Sequence, residues 1–302
     1  MKSYLKSRLP RSGQIVKLRA EASSRQFFRV PFSNRSLVAM MYPDRAPDEI
    51  EAFVRMTDLY REFGLHVAEI VEVLDERGIL LEDLGDISLQ RFFGGARRGE
   101  KERVLRRVAR LLTVLKRVPP GRVDRALDTG RLEFEMDFFR THFMGNFIRS
   151  HGDDSRVKAE LRRLAAAIPG PPVFGHRDFH SRNMQVCHGE VYLVDYQDSM
   201  RVPDLYDLAS FAFDSYLDLK DLREPLFEML RDLGSPVDRV ALHLTALQRN
   251  LKALGTFGFQ IVERKNRTYQ RYVERTVRHI LGNPCAGDMI PHTLAALSTL
   301  RK

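Results

Sequence analysis

The sequence contains no tryptophan and only two cysteines, Cys187 and Cys285, among its 302 residues. Two cysteines cannot form a disulfide framework or a paired metal-ligand motif, so we expect both to be ordinary thiols. Because few cysteines are typical of reducing compartments, the sequence predicts a cytoplasmic protein.

Long apolar runs are also absent. The longest, such as residues 164–168, span only a few residues, whereas a membrane-spanning helix needs about 20. The basic N-terminus, with Lys2 and Lys6, is not followed by the apolar run of about 7 to 15 residues that a secretory signal requires. We therefore expect neither membrane association nor export. With 43% hydrophobic residues, the chain can bury the core of one large domain or of two lobes.

Positive charge is in excess. The formal net charge of +9 is compatible with nucleic-acid binding or with a surface suited to anionic ligands. Part of the excess lies in residues 103–117, where arginine and lysine are interleaved with valine and leucine at helical spacing, a pattern typical of a solvated helix face. No aromatic residues are interleaved there, so a stacking platform is not indicated and we expect no nucleic-acid partner.

The chain changes character near residue 85. Before this point, β-rich runs surround one predicted helix at residues 47–63. The β-rich runs lie at residues 15–18, 26–31, 36–41 and 78–81. After it, the predicted helices are 101–118, 134–147, 155–167, 204–216, 237–254 and 269–281. We predict an α+β fold of two lobes, a small β-rich N-terminal lobe of residues 1–84 and a larger, mostly helical lobe of residues 85–302.

One compact β signal interrupts the helices. Residues 184–187 predict a strand, 188–190 a turn, and 191–194 the returning strand. Antiparallel pairing about this turn would place Asn183 opposite Asp195, with Cα atoms about 5 Å apart. Magnesium prefers hard oxygen ligands, completed by water and phosphate oxygens. Asn183 and Asp195 are therefore candidate magnesium ligands in the helical lobe.

The segment that leads into this hairpin has the sequence His-Arg-Asp-Phe-His-Ser-Arg-Asn, at residues 176–183. It places Asp178 five residues before Asn183. A loop of that length can hold a carboxylate beside a metal without ligating it, where a substrate hydroxyl would approach a phosphoryl group. Asp178 is therefore a candidate catalytic base.

These residues resemble the motif of the aminoglycoside phosphotransferase and choline kinase branch of the protein-kinase-like fold, His-x-Asp-x-x-x-x-Asn followed by a hairpin and an aspartate. The resemblance implies that ATP is the phosphoryl donor, that Asp178 is the catalytic base, and that Asn183 and Asp195 bind Mg²⁺. It also implies that His176 braces the catalytic loop and that His180 lies near the transferring phosphate.

Within that branch, the chain is similar to the bacterial cell-wall amino-sugar kinases, which phosphorylate the anomeric position of N-acetylmuramate and N-acetylglucosamine. The similarity is carried by residues 23–30, 81–86, 176–183 with 195–198, and 248–255. It implies a phosphotransferase that acts on a hydroxyl of a small molecule, with a sugar or amino sugar as the favoured acceptor. Many alcohol-bearing acceptors are served by this fold, so reaction type follows more directly than acceptor.

Two features depart from the family pattern. Residues 36–41 contain Met40 and Met41 but lack the lysine that typically holds nucleotide phosphates, and the loop at residues 21–25 lacks glycine. Arg25 and Arg29 are the candidates to replace the missing charge, because guanidinium groups bind phosphate well.

The nucleotide-binding residues implied by the resemblance lie in two segments. Ser23 and Ser24 belong to the loop expected over the phosphates, together with Arg25 and Arg29. Adenine is expected against the connection from Glu82 to Leu84.

Several charged residues have two interpretations. Asp207 resembles a buried family aspartate that supports the catalytic loop, but it also suits the first turn of a helix. Asp198 could contact metal or substrate, or cap a turn. For Arg249 and Lys252 we favour exposed helix-surface charges over contacts with an acidic substrate.

Two other functions remain open. A metal-dependent hydrolase is suggested by the alternation of His176, Asp178 and His180, with Asp195 and Asp198 nearby in sequence. A nucleotide-binding regulator without catalysis is suggested by the missing strand lysine and loop glycines. The retained base and metal ligands favour the kinase.

Overall fold

The computed structural model describes residues 1–10, 12–18, 25–32, 35–150, 153–168 and 170–301. Its contacts divide the chain into two compact units. Unit 1 comprises Met1–Ser88 and Met184–Gln197, and unit 2 comprises Leu89–Asn183 and residues 198–301. The hairpin expected in the helical lobe therefore belongs to unit 1.

Strands and helices follow one another in the order predicted for an α+β chain. The strands are β1 (Val16–Lys17), β2 (Gln26–Phe32), β3 (Arg35–Met41), β4 (Ile70–Leu74), β5 (Gly78–Glu82), β6 (Pro172–Gly175), β7 (Met184–Cys187), β8 (Glu190–Leu193) and β9 (Met200–Pro203). The α-helices are α1 (Lys2–Arg8), α2 (Pro47–Glu62), α3 (Leu89–Gly95), α4 (Arg98–Leu115), α5 (Thr129–Phe139), α6 (Asp154–Ala166), α7 (Tyr206–Ala212), α8 (Arg223–Asp232), α9 (Arg239–Val262), α10 (Gln270–Leu281), α11 (Ala286–Met289) and α12 (Pro291–Ser298). None of the described helices is long and apolar enough to cross a bilayer.

The sheet of unit 1 has five antiparallel strands in the order β1-β2-β3-β5-β4. Phe28 pairs with Ala39, and because directly opposite residues of an antiparallel pair project to the same face, both lie on one face of the sheet. This face packs with Leu5 and Leu9 of the N-terminal segment in one apolar cluster. Helix α1 thus covers one face of the sheet. Phe27 and its partner Met40 lie on the other face.

Backbone hydrogen bonds hold the hairpin β7-β8 to the rest of unit 1. The N–H of Leu193 donates to the carbonyl of His66 at 2.8 Å, and the N–H of Val186 donates to the carbonyl of Ile87 at 2.8 Å. Both turn residues have positive φ, 48° for His188 and 79° for Gly189, as in the primed two-residue turns that match strand twist.

The two-residue turn shifts the predicted register. Glu190 belongs to β8, not to the turn, and β8 ends at Leu193, which pairs with Met184. Asp195 therefore lies two residues beyond the last pair. The predicted pairing of Asn183 opposite Asp195 assumed a longer turn and is wrong by one residue.

Helix α9 lies at the centre of the packing in unit 2. Its Leu247, Leu251, Leu254 and Phe257 are buried in the main apolar cluster. The helix predicted at residues 134–147 consists of two parts. Helix α5 ends at Phe139, and a π-helix follows at Arg140–Phe147. On α4 the predicted pattern holds, with Val104 and Val108 buried and most of its arginines exposed.

Two glycines of α9 allow close contact with this π-helix and the end of α5. A Cβ atom at Gly258 would lie 2.5 Å from the carbonyl oxygen of His142, and one at Gly255 would lie 2.8 Å from the Cα of Phe139. Such distances are too short for any side chain, so glycine is required for the helices to approach.

We predict that Gly258→Ala lowers the free energy of unfolding by about 2 kcal/mol, because the backbone must shift to admit the methyl group. This loss exceeds the gain of about 1 kcal/mol from alanine's helix propensity. Gly99→Ala is the matched control, since that helical glycine has open space around its Cβ position and should not lose stability. Equilibrium denaturant unfolding measures both. Equal stability changes in the two variants would contradict the close contact.

Candidate active site

The predicted catalytic loop, residues 176–183, begins where β6 ends. Strand β6 pairs with β9, and Gly175 is opposite Met200. A Cβ atom at Gly175 would lie 2.3 Å from the Cγ2 of Val202 and 2.8 Å from the Oδ2 of Asp207. Glycine here therefore lets Asp207 reach the start of the loop.

Asp207 is a buried brace of the loop. Its Oδ2 accepts the N–H of His176 at 2.7 Å, and its Oδ1 accepts the N–H of Arg177 at 2.9 Å. Arg177 has a φ of 74°, an uncommon conformation for a residue with a side chain, and this hydrogen bond helps to hold it. Burial raises the pKa of Asp207, although His176 and the two N–H donors oppose the rise. The contacts are those expected of the loop-supporting aspartate.

A second buried aspartate supports the middle of the loop. Asp214 accepts the N–H of Ser181 at 2.8 Å and the N–H of Tyr216 at 2.7 Å. Burial raises its pKa as well. The predicted helix 204–216 ends early, at Ala212, which frees Asp214 to turn toward the loop. Its sequence signal is an acid seven residues after Asp207 in an otherwise apolar segment.

Asp178 presents its carboxylate to two cations. Its Oδ1 accepts hydrogen bonds from the Nη2 of Arg249 at 3.1 Å and the Nζ of Lys252 at 3.0 Å. Both cations contact the same oxygen, so neither occupies Oδ2, and the side chain is 30% exposed. Burial acts to raise the pKa of Asp178, but Lys252 and Arg249 outweigh it and hold this pKa well below its ordinary value. Asp178 is therefore ionised throughout the physiological pH range.

The two cations come from α9, where they lie three residues apart on one face. Their side chains are only 10% exposed for Arg249 and 17% for Lys252. The Nε of Arg249 also donates to the hydroxyl of Ser210 on α7 at 2.8 Å. The preference for exposed helix-surface charges is therefore wrong for both residues. The sequence signal for their burial was their position among Leu247, Leu251 and Leu254.

The two histidines of the loop are packed against aromatic rings. His176 is buried, with its ring 6.0 Å from that of Phe179. The ring of His180 lies 4.8 Å from that of Tyr216. Burial lowers the pKa of His180 to about 3, despite the nearby carboxylate of Asp178. His180 is therefore neutral near pH 7 and can offer a hydrogen bond but not a charge.

Asn183 closes the loop. Its Nδ2 donates to the backbone carbonyl of Asp178 at 3.0 Å, and its N–H donates to the carbonyl of His180 at 2.9 Å. Because the amide nitrogen is used inside the loop, the side-chain oxygen Oδ1 is the atom that remains to act as a ligand.

In unit 1, Asp195 has a φ of 63° and a half-exposed carboxylate. Its Oδ1 accepts from the Nη2 of Arg25 at 2.8 Å and from the Nε2 of Gln197 at 3.0 Å. The next residue, Tyr196, is buried and its hydroxyl forms a 2.8 Å hydrogen bond with Thr57 of α2. This buried anchor fixes the position of Asp195 in unit 1.

Arg25 lies on the sheet face opposite α1. Its Nη1 is 3.6 Å from the Sδ of Met40, and its guanidinium lies 5.9 Å from the ring centroid of Phe27. Met40 and Met41 are both buried in β3. Arg25, the residue before β2, thus brings a positive charge to a strand that has no lysine.

Arg29 has other partners. It forms two hydrogen bonds with Asp83, at 2.6 and 3.0 Å, and two with Asp86, at 2.8 and 3.0 Å. These bonds tie β2 to the segment after β5. In that segment Leu84 is buried, and the N–H of Glu82 is already used by the carbonyl of Glu69 at 2.9 Å.

The predicted Ser23 and Ser24 lie outside the described residues. Asp198 forms an ion pair with Arg125 at 3.0 Å. Among the residues that the structure describes, no three histidine, cysteine, aspartate or glutamate side chains are gathered as metal ligands. The alternative of a hydrolase with a histidine and carboxylate metal centre therefore has no such site in the described part of the chain.

The chain is similar in sequence to known phosphotransferases. The model of the phosphotransferase enzyme family matches residues 14–243. The N-acetylmuramate/N-acetylglucosamine kinase of Pseudomonas aeruginosa is 25% identical over 260 residues, which cover 81% of this chain and 76% of that kinase.

Solved structures share the fold at low sequence identity. A spectinomycin phosphotransferase, solved with ADP and spectinomycin, has a TM-score of 0.65 at 11% identity and covers 99% of this chain and 98% of its own. The ethanolamine kinase of Plasmodium vivax has a TM-score of 0.63 at 10% identity, with coverage of 91% and 83%. The predicted protein-kinase-like fold is confirmed.

Proposed function

The chain belongs to the phosphotransferase enzyme family, and we propose from this that it transfers the γ-phosphoryl group of ATP to a hydroxyl of a sugar or amino sugar. Amino sugars are favoured because the Pseudomonas aeruginosa relative is named as an N-acetylmuramate/N-acetylglucosamine kinase. A cytoplasmic location belongs to the same proposal, since the chain has two free thiols.

One observation carries the proposal most directly: the carboxylate of Asp178 accepts hydrogen bonds from Arg249 and Lys252, in a loop whose backbone N–H groups are bound by Asp207 and Asp214. Phosphoryl transfer requires little covalent chemistry from the protein, so catalysis comes from positioning and charge neutralisation. The Oδ2 of Asp178 would accept a hydrogen bond from the acceptor hydroxyl and orient it toward the phosphorus. Because the low pKa of Asp178 makes it a weak base, the proton would move to it late, as the new P–O bond forms.

Asn183 and Asp195 are proposed to hold Mg²⁺. The donor set fits this ion, because both side chains offer hard oxygens. The Nδ2 of Asn183 is engaged with the carbonyl of Asp178, so its Oδ1 is left as the ligand. The contacts with Arg25 and Gln197 fall on the Oδ1 of Asp195 and leave Oδ2 to the metal. When bound, Mg²⁺ would neutralise charge on the β- and γ-phosphates.

Arg25 is proposed to supply the charge of the missing strand lysine. It already contacts Met40 of β3 and the candidate metal ligand Asp195. A cation in this position could bind both a phosphate and the carboxylate. Arg29 is proposed to be structural, since two carboxylates occupy its guanidinium.

We predict that Arg25→Met raises the KM for ATP about tenfold or more, because it loses a charge-assisted hydrogen bond to phosphate. Arg25→Lys should recover part of this loss. Arg29→Met should instead lower thermal stability, because the largely buried carboxylate of Asp83 loses its counter-ion. Steady-state kinetics and thermal unfolding of the three variants separate the roles. A raised KM in Arg29→Met but not in Arg25→Met would reverse the assignment.

The proposed function is tested by ADP release from ATP and Mg²⁺ across a panel of acceptors. The panel contains N-acetylmuramate, N-acetylglucosamine, other sugars, aminoglycosides, choline and homoserine. Acceptor-dependent release with the amino sugars is expected. Turnover of choline or aminoglycosides alone would contradict the acceptor class, and nucleotide binding without turnover of any acceptor would favour the non-catalytic regulator suggested by the missing lysine.

A further inference from the structure

The positive charge of Arg249 and Lys252 beside Asp178 has no role yet in the proposed transfer. Two cations, Arg249 and Lys252, share one oxygen of Asp178, so these three groups carry a net charge of plus one. A single cation would neutralise the carboxylate. The second makes the surroundings of the base attractive to an anion, although the base itself is an anion.

The distances place this charge next to the reaction. An acceptor hydroxyl must lie about 3 Å from Asp178 to be hydrogen-bonded, and its oxygen must lie about 3 to 3.5 Å from the phosphorus before transfer. The Nζ of Lys252 lies 3.0 Å from the Oδ1 of the same carboxylate. It would therefore be within a few ångströms of the phosphoryl oxygens.

The two cations differ in the donors that they have left. Arg249 is the more buried and also donates to Ser210, so it is anchored in the core of unit 2. Lys252 has three N–H donors, and among the described residues Asp178 is the hydrogen-bond partner of its Nζ. Two donors of Lys252 are therefore not used within the described part of the chain. His180, the loop residue that the family resemblance places near the phosphate, is neutral and cannot supply the charge.

We propose that Lys252 is a catalytic residue that binds the phosphoryl group during its transfer, while Arg249 positions Asp178. This inference rests on the proposed function. In the transfer, the acceptor oxygen forms a bond to the γ-phosphorus, the bond from that phosphorus to the β,γ-bridging oxygen breaks, ADP leaves with the electron pair, and the hydroxyl proton passes to Asp178. The ammonium of Lys252 donates hydrogen bonds to the equatorial phosphoryl oxygens and stabilises their charge.

The pH dependence of this role follows from the neighbours of Lys252. Burial and the cations Arg249 and Arg177 lower its pKa, while the carboxylates Asp178 and Glu135 oppose that change. Lys252 should therefore lose its proton below the ordinary lysine value of about 10.4, and kcat should fall with it.

The test is kcat between pH 6 and 10 for the wild type, Lys252→Met and Lys252→Arg, with ATP, Mg²⁺ and the best acceptor of the panel. Lys252→Met is expected to lower kcat about a hundredfold, the usual effect of removing one donor to a developing anion, with the KM for ATP changed less than about threefold. Its remaining activity should lack the fall at high pH. Lys252→Arg should keep more activity and show no fall up to pH 10, because guanidinium stays protonated.

Lys116→Met is the matched control. Lys116 is also a partly buried lysine, 28% exposed, and pairs with an aspartate, Asp204, at 2.7 Å. This variant should keep both the kcat and the fall at high pH. A kcat within threefold of wild type in Lys252→Met would overturn the inference, as would a fall at high pH that persists in that variant.

If Lys252→Met does not fold, Lys252→Arg decides the question, because an unchanged fall at high pH in that variant would equally overturn the inference. Turnover by the wild type and by Lys252→Met alike would refute this inference alone. A wild type that is silent with every acceptor would refute the proposed function as well.

Discussion

Asparagine in place of Asp178 is expected to lower kcat by about 10³- to 10⁴-fold, the upper range for loss of a general base. The substitution keeps the size of the side chain but removes the negative charge that orients and finally accepts the hydroxyl proton. It also leaves Arg249 and Lys252 without their shared counter-ion. Affinity for ADP should change less than about threefold, because Asp178 is not assigned a contact with the nucleotide.

The braces of the loop explain why the Asp178→Asn protein should fold. Asp207 and Asp214 accept hydrogen bonds from backbone N–H groups of the loop. These bonds do not involve the carboxylate of Asp178, so the substitution leaves them in place. Asp204→Asn is a matched control, since Asp204 is also partly exposed, at 34%, and pairs with a lysine. Single-turnover kinetics and calorimetric titration with ADP measure the two quantities. An Asp178→Asn rate within tenfold of wild type would exclude Asp178 as the base.

The second large effect is expected at Asp195. Asp195→Ala should raise the Mg²⁺ concentration for half-maximal rate at least about tenfold and lower kcat about 10²- to 10³-fold, because a charged ligand is lost. Asp195→Asn should have a smaller effect on structure, since its amide oxygen can still accept the hydrogen bond of Arg25.

The comparison of the two Asp195 variants separates metal binding from the ion pair with Arg25. If both variants shift the Mg²⁺ requirement, the carboxylate acts on the metal. A shift in Asp195→Ala alone would assign the effect to the lost contact with Arg25. Titration of the rate with Mg²⁺ at saturating ATP gives the answer, and an unchanged requirement in both variants would remove Asp195 from the metal site.

The features of the candidate site that follow most directly from the sequence are local. The spacing of Asp178 and Asn183 and the turn at His188 and Gly189 depend on residues a few positions apart, so sequence patterns report them. The turn length was still wrong by one residue, because the choice between two and three turn residues depends on φ at His188. Asp207 could be assigned as a brace only through the family resemblance.

Other parts depend on contacts between distant segments. The N-terminal segment has little apolar pattern beyond Leu5 and Leu9, and these residues are buried by the sheet that α1 covers. Arg249 and Lys252 look like surface charges because periodicity alone does not say which face of a long helix is covered. Helix α9 is buried on most sides, so its charged face meets Asp178 instead of water.

The proposed reaction transfers a phosphoryl group from ATP to the hydroxyl of an amino sugar. Phosphorus NMR of the wild-type protein with ATP, Mg²⁺ and N-acetylglucosamine or N-acetylmuramate follows donor and product together. We predict a new phosphate monoester signal that grows in step with ADP. Formation of ADP with inorganic phosphate alone, or no loss of ATP with either sugar, would contradict the account.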